Sequence, residues 1–347
     1  MDLNKVANQL ASGMAEHQLA VDQGSSSLPP ATSREAGPHR VEFPSGPIRL
    51  GSVLDHTLLN PAATAEEIDR HCDEALRYGV AAACVNPLWV SRCAERLRGS
   101  GVAVASVIGF PFGTLPPELK AAEASLAVKH GATELDMVIP LGLVRASDYR
   151  ALHADVAAVV AAAGDALVKV ILETAALTPM EVLRAATVVG DAGAHYVKTS
   201  TGYSASGGAT PEAVALLRLA VGDDLGVKAS GGIRDARTAF LMLASGATRI
   251  GSSRADAMAD ATGPGPRRLH DLMHVPFQAG EPGSDPAGGV PAVQGHGPDA
   301  RVVGEGVHLP APSIPPPPAP QPPSPGSDRP APSPGRVAPG WGTWPPR

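Results

Sequence analysis

Aromatic side chains make up only 3% of these 347 residues, and basic residues do not outnumber acidic ones: 28 Lys and Arg against 34 Asp and Glu give a net charge of −6. Base-stacking platforms and a phosphate-neutralising face are both short of material, which argues against nucleic acid as the main partner. Cysteine is scarce. Cys72, Cys84 and Cys93 are an odd three with no CxxC pair, which fits reduced thiols rather than a secreted disulfide framework. Nowhere do about eighteen apolar residues follow one another, and Met1-Asp-Leu-Asn-Lys leads into no basic-then-apolar stretch. Neither a membrane helix nor a signal peptide is expected, so the chain reads as soluble and cytoplasmic. His56, His71, His130, His153 and His195 fall at no metal-ligand spacing, so no metal and no cofactor is expected.

Glycine and proline, by contrast, are plentiful, at 38 and 36 residues, and about two-thirds of the prolines fall after Thr262. Runs such as Pro315-Pro-Pro-Pro hold too little apolar surface to offset their ordering entropy, so 263–347 reads as a disordered or polyproline II tail. Residues 1–48 read as an extension, a short amphipathic helix over Leu3 to Val21 and then a Ser/Pro/Gly linker. The organised sequence is 49–262, enough for one domain.

Within it, short Val/Ile-rich runs alternate with longer helical patterns, the signature of βα units around a parallel sheet. The expected strands are Ser52–Asp55, Ala81–Val85, Ala103–Ile108, Thr133–Val138, Leu167–Glu173, Tyr196–Thr199, Gly226–Ala229 and Arg249–Gly251. Eight units in roughly this length predict an α/β fold of the TIM (β/α)8 barrel type. Thr64-Ala-Glu-Glu reads as a helix start closed by Gly79, Pro117 opens a helix that Gly131 ends, and Thr178-Pro and Thr210-Pro repeat the start signal. No GxGxxG follows an early strand, which disfavours a doubly wound open sheet.

Buried parallel strands should be nearly all apolar, and lysine is almost never buried without a partner. Lys169, Lys198 and Lys228 each sit between residues that would face the helices, so alternation points all three into the barrel. Asp136 and Glu173 join them. One Lys–Asp pair alone would read as a self-neutralising ion pair, whereas three lysines on successive strands favour a catalytic centre. A buried lysine beside a second one suits imine formation, because an unperturbed pKa of about 10.4 leaves about one amine in 10³ free at pH 7. Two ammonium groups roughly 5 Å apart at an effective dielectric of about 20 repel by about 3 kcal/mol, or about two pKa units. Of Lys198 and Lys228, one would be the nucleophile and the other the cation that depresses its pKa. Asp136 would shuttle protons. The loops Gly231-Gly232 and Gly251-Ser252-Ser253-Arg254, with Gly202, sit where barrel enzymes bind a phosphate on backbone amides.

The strings Asp55-His-Thr-Leu-Leu, Cys84-Val-Asn-Pro, Val107-Ile-Gly-Phe-Pro-Phe-Gly, Glu134-Leu-Asp-Met-Val-Ile, Val168-Lys-Val-Ile-Leu-Glu-Thr, Val197-Lys-Thr-Ser-Thr-Gly-Tyr, Val227-Lys-Ala-Ser-Gly-Gly-Ile-Arg and Arg249-Ile-Gly-Ser-Ser follow in order along the barrel and neither tail. Together they resemble the deoxyribose-phosphate aldolases. The resemblance implies a class I aldolase that cleaves 2-deoxy-D-ribose 5-phosphate to D-glyceraldehyde 3-phosphate and acetaldehyde. It implies Lys198 as the Schiff-base lysine, Lys228 as its pKa-lowering and proton-exchanging partner, and Asp136 as proton donor and acceptor. Asp55, Lys169 and Glu173 would support them. Tyr203 stands where some members have a lysine, Arg254 where many have a serine, and no tyrosine follows Tyr203. Another Schiff-base sugar-phosphate aldolase or a transaldolase is the enzymatic alternative. An interaction protein that docks through its Pro-rich tail is the non-enzymatic one. The expected partner is a small sugar phosphate, without nucleic acid or membrane, and a homo-oligomer is left open.

Overall fold

A computed structural model describes residues 47–263, 265 and 266. The expected N-terminal extension and proline-rich tail lie almost wholly outside the described residues. Eight strands run parallel and close on themselves in chain order: β1 (Leu54–Leu58), β2 (Ala82–Val85), β3 (Ala103–Ile108), β4 (Glu134–Val138), β5 (Leu167–Ile171), β6 (Tyr196–Lys198), β7 (Gly226–Ser230) and β8 (Arg249–Ser252), with β8 pairing back to β1. Around them lie α1 (Ala65–Tyr78), α2 (Val90–Arg96), α3 (Pro117–Lys129), α4 (Leu141–Arg145), α5 (Tyr149–Ala163), α6 (Pro179–Asp191), α7 (Pro211–Val221), α8 (Ala236–Ala244) and α9 (Ala255–Thr262). This is the (β/α)8 barrel that the alternating pattern predicts. No described helix is long and apolar enough to cross a membrane.

Local chemistry sets the helix ends. Thr64 accepts from Glu67 N while Glu67 reaches back to Thr64 N, and Gly79 ends α1 at φ 57°. Thr178 and Glu181 form the same reciprocal cap on α6, with Pro179 at its first position. On α1 the buried residues Ile68, His71, Cys72 and Ala75 fall at helical spacing, one face against the sheet. The outward strand positions, such as Leu135, Val168, Val197 and Val227, are fully buried against such faces. Each contributes about 1.5–3 kcal/mol relative to exposure.

The strands differ from expectation by one residue at one end in β2, β4, β6, β7 and β8, and by more in β1, which runs on past Asp55 to Leu58, and in β5. The first strand starts at Leu54, because Leu50–Val53 forms a 3₁₀ turn that Ser52 closes with its N–H and hydroxyl on Arg49 O. The fifth ends at Ile171. Glu173 leaves the extended region at φ 54° and begins a turn, Thr174–Ala176.

Candidate active site

Strand alternation turns Asp55, Asp136, Lys169, Lys198 and Lys228 into the barrel, where all are buried. Parallel register sets Lys198 beside Lys228 and Asp136 beside Lys169. The three lysines converge on one carboxylate. Lys198 Nζ and Lys228 Nζ each donate to Asp136 Oδ2 at 2.7 Å, and Lys169 Nζ donates to Oδ1 at 2.8 Å. Asp55 pairs with Lys228, lies 3.5 Å from Lys169 Nζ, and accepts from Arg249 Nη1 at 2.7 Å. Glu134 pairs with Lys169 and lies 3.3 Å from Arg249 Nη2.

Four cationic side chains therefore meet three carboxylates in a largely buried site, which is neutral when one lysine is an amine. The pKa directions single out which. Burial pushes Lys198 below the ordinary 10.5; Asp136 pulls it back and Lys228 pushes it down again, and the net direction is downward. For Lys228, burial is outweighed by Asp136 and Asp55, and the pKa rises. Lys169 rises well above 10.5, its burial overcome by Asp136, Glu134 and Asp55. Burial would raise Asp136, but Lys169, Lys198 and Lys228 hold it well below the usual carboxylate range. Asp55 is lowered in the same way, with Lys228, Lys169 and Arg249 overriding burial. Lys228 is thus one of two depressing influences on Lys198, and burial is the larger. The expectation from the sequence put the Lys228 charge first with burial adding to it, and the order is the reverse.

Lys198 closes β6 at the C-terminal end of the barrel, the end where barrel enzymes carry their chemistry. A cavity of about 350 Å³ between α2 and the starts of β3 and β4, lined by Leu97, Val102 and Val104, lies at the other end. Across from the lysines, β2 and β3 present the small side chains Ala82, Cys84, Ala105 and Val107. Burial pushes the Cys84 thiol up to about 11, so it stays protonated.

Glu173 is not among the ion pairs. Its carboxylate accepts from Thr201 N and Thr201 Oγ1, tying the turn after β5 to the loop after β6, and burial raises its pKa. Tyr203 Oη donates to Leu59 O at 2.9 Å and its ring meets Phe110 edge-on, so the side chain spans the loops after β1, β3 and β6.

The glycines divide by role. Gly202, Gly231 and Gly232 have φ of 83°, 88° and 80°, and a Cβ on neighbouring Gly208 would sit 2.3 Å from Gly231 O. The loops after β6 and β7 therefore touch backbone to backbone. Gly251 lies inside β8, where a Cβ would sit 3.2 Å from Lys228 Cε. Ser252 Oγ donates to Ile233 O at 2.7 Å and accepts from Arg254 N, joining the loops after β7 and β8. Ser253 is exposed, next to the N-terminus of α9. Arg254 Nε lies 3.2 Å from Asp256 Oδ1, on the same helix start.

Glu134 and Arg249 were missed as site residues. The signal for Glu134 was present: it stands two before Asp136 on one strand and so shares its inward face. Arg249 opens β8 and its guanidinium also lies over the Tyr196 ring, which no local pattern announces.

Fold and site define a class: a (β/α)8-barrel protein with three lysines gathered on one buried carboxylate inside the barrel. The chain belongs to the DeoC/LacD family of aldolases, which it matches over residues 50–263. It is 52% identical over 206 residues to the deoxyribose-phosphate aldolase of Brevibacillus brevis, covering 59% of this chain and 93% of that one. To the enzyme of the same name from Enterococcus faecalis it is 47% identical over 220 residues, 63% of this chain and all of the other. Among solved structures, the tetrameric deoxyribose phosphate aldolase from Aeropyrum pernix superposes with a TM-score of 0.58 at 38% identity, over 61% of this chain and 90% of that one. A chain from Coccidioides immitis described as a putative deoxyribose-phosphate aldolase gives 0.62 at 36% identity, over 72% and 97%.

Proposed function

We propose that this aldolase cleaves 2-deoxy-D-ribose 5-phosphate reversibly to D-glyceraldehyde 3-phosphate and acetaldehyde through an imine on Lys198. The observation that carries the reading is the contrast among three buried lysines: Lys198 has its pKa lowered while Lys169 and Lys228 have theirs raised. The neutral Lys198 amine attacks the C1 aldehyde of the open-chain sugar, and the carbinolamine loses water to give an iminium. A base takes the C3 hydroxyl proton, the C2–C3 bond breaks, and its electrons form an enamine as glyceraldehyde 3-phosphate leaves. Protonation at C2 and hydrolysis then release acetaldehyde and the amine.

Asp136 touches the Nζ of both Lys198 and Lys228 through one oxygen, so it can pass a proton between them. Because Asp136 is held as a carboxylate and Lys228 as an ammonium, Lys228 is the proton source and Asp136 the acceptor and relay. The substrate phosphate rests on the amides around Gly202, Gly231, Gly232 and Ser253, with the start of α9 facing it. Gly251 and Ser252 serve the site by making room for Lys228 and by joining the loops.

Incubating the full chain with 2-deoxy-D-ribose 5-phosphate should release equal amounts of acetaldehyde and glyceraldehyde 3-phosphate, and Lys198→Ala should release neither. Turnover only with ketose phosphates would assign the barrel to a different donor. A homo-oligomer, as in the Aeropyrum pernix relative, is proposed for this chain too, and light scattering on the purified protein reads it.

A further inference from the structure

The outer side of β1 carries a second cluster of titratable side chains, which the imine chemistry does not use. Asp55 and His56 are neighbours on one strand, so with Asp55 inside the barrel His56 points out toward α1. There His56 Nε2 lies 2.9 Å from Glu74 Oε2. Its ring stacks on that of His71, with centroids 4.1 Å apart and planes 29° from parallel. His71 and Glu74 stand three apart on α1 and share a face. One ligand atom from each of the three side chains lies within 4.8 Å of the other two.

A second observation points to a ligand. His56 Nδ1 and His71 Nε2 are sealed from solvent and have no hydrogen-bond partner, in residues only 3% and 4% exposed. Buried polar atoms are normally paired, and of these two nitrogens His71 Nε2 is the one left to take a cation, because His56 meets Glu74 through Nε2 rather than Nδ1. Glu74 has 45% of its side chain exposed, which gives an entry path from solvent.

We propose that His56, His71 and Glu74 bind a divalent first-row transition cation, with zinc as the best-matched example. Two imidazoles and a carboxylate are a nitrogen and oxygen donor set of the kind zinc takes, leaving a fourth position for water. Zinc bonds of about 2.0–2.2 Å draw the three ligand atoms together, and the partly exposed Glu74 is the side chain free to move. His56 binds through Nε2 as the neutral tautomer with its proton on Nδ1, so its hydrogen bond to Glu74 is exchanged for a bond from each residue to the cation. A cation here would clamp β1 to α1 on the side of the strand opposite Asp55. The histidines are fifteen residues apart in the chain, which is why no ligand spacing is visible in the sequence.

The test is a titration of the tag-free full-length chain, stripped with chelator, with Co²⁺ read by visible absorption, then with Zn²⁺ as competitor. The expected result is one Co²⁺ per chain with a d–d band, no thiolate charge-transfer band of the kind Cys72 would add, and displacement by equimolar Zn²⁺. Glu74→Gln should weaken uptake at least about tenfold, since even outer-shell partners act on that scale. Should that variant not fold, the parent chain itself decides: its melting temperature should rise with Zn²⁺ and not with Mg²⁺. No saturable uptake, a thiolate band, uptake unchanged in folded Glu74→Gln, or no zinc-specific rise in melting temperature would each overturn the proposal.

Discussion

At Lys198, burial and the Lys228 ammonium favour the neutral amine and Asp136 opposes them. Lys228→Met removes one of the two depressing influences and leaves Asp136 Oδ2 to Lys198, so both changes act upward. The acid limb of kcat/KM should move to higher pH by about one unit, equivalent to about 1.4 kcal/mol. A pH–rate series on parent and variant reads this, and an unmoved limb would remove Lys228 from the tuning. For the phosphate, Arg254 is already paired with Asp256, so Arg254→Ala should change use of the sugar phosphate little. Ser253→Asp sets a carboxylate against the anion. It should lower kcat/KM for deoxyribose 5-phosphate by about tenfold or more and spare the slow cleavage of unphosphorylated deoxyribose, on the scale of one charge-assisted hydrogen bond. Equal losses on both sugars would mean a general defect. The lysines were legible in the sequence because an inward-pleated charge between outward-facing apolar residues breaks a strong rule. The order of their pKa values was not, since it depends on how many carboxylates each Nζ meets.

Strands and helices explain what local pattern could and could not reveal. Caps such as Thr64 with Glu67 and Thr178 with Glu181 were readable three residues apart, whereas the start of β1 was not, because Leu50 and Val53 are apolar enough for a strand yet sit in a turn. A buried pair between two helices was also invisible. Lys120 on α3 donates to Asp155 on α5 at 2.8 Å and to Val138 O at 2.9 Å, with both side chains almost fully buried. Burial lowers the Lys120 pKa and raises that of Asp155, so desolvation outweighs their attraction. Asp155→Leu alone should destabilise the chain by about 3–5 kcal/mol by leaving an unpaired ammonium. Adding Lys120→Met should recover most of that loss. Chemical denaturation of both variants measures it, and additive losses would contradict the pairing.

Across the whole barrel, pH acts on stability from two sides. Asp55 and Asp136 have folded pKa values below their ordinary 3.8, so their stabilisation is complete above that value and is lost as pH falls toward the folded ones. Lys169 and Lys228 are raised above 10.5, so theirs is present below 10.5 and is lost as pH rises through the folded values. These four groups should therefore lower the melting temperature below about pH 4 and above about pH 10.5, while Lys198 and His71, whose folded pKa values are depressed, cost stability as pH falls below their ordinary 10.5 and 6.5. The parallel barrel was legible from eight evenly spaced apolar runs, and the boundary expected at 262 is tested by truncation: a chain ending at Pro266 should cleave substrate within a few-fold of the full length. An insoluble or inactive product would mean that the later residues are needed. The central claim is that Lys198 forms the imine. Borohydride reduction in the presence of acetaldehyde, followed by peptide mapping by mass spectrometry, should place one ethyl group on the Lys198 peptide and none on Lys169 or Lys228. Modification of either of those two, with turnover retained in Lys198→Ala, would contradict it.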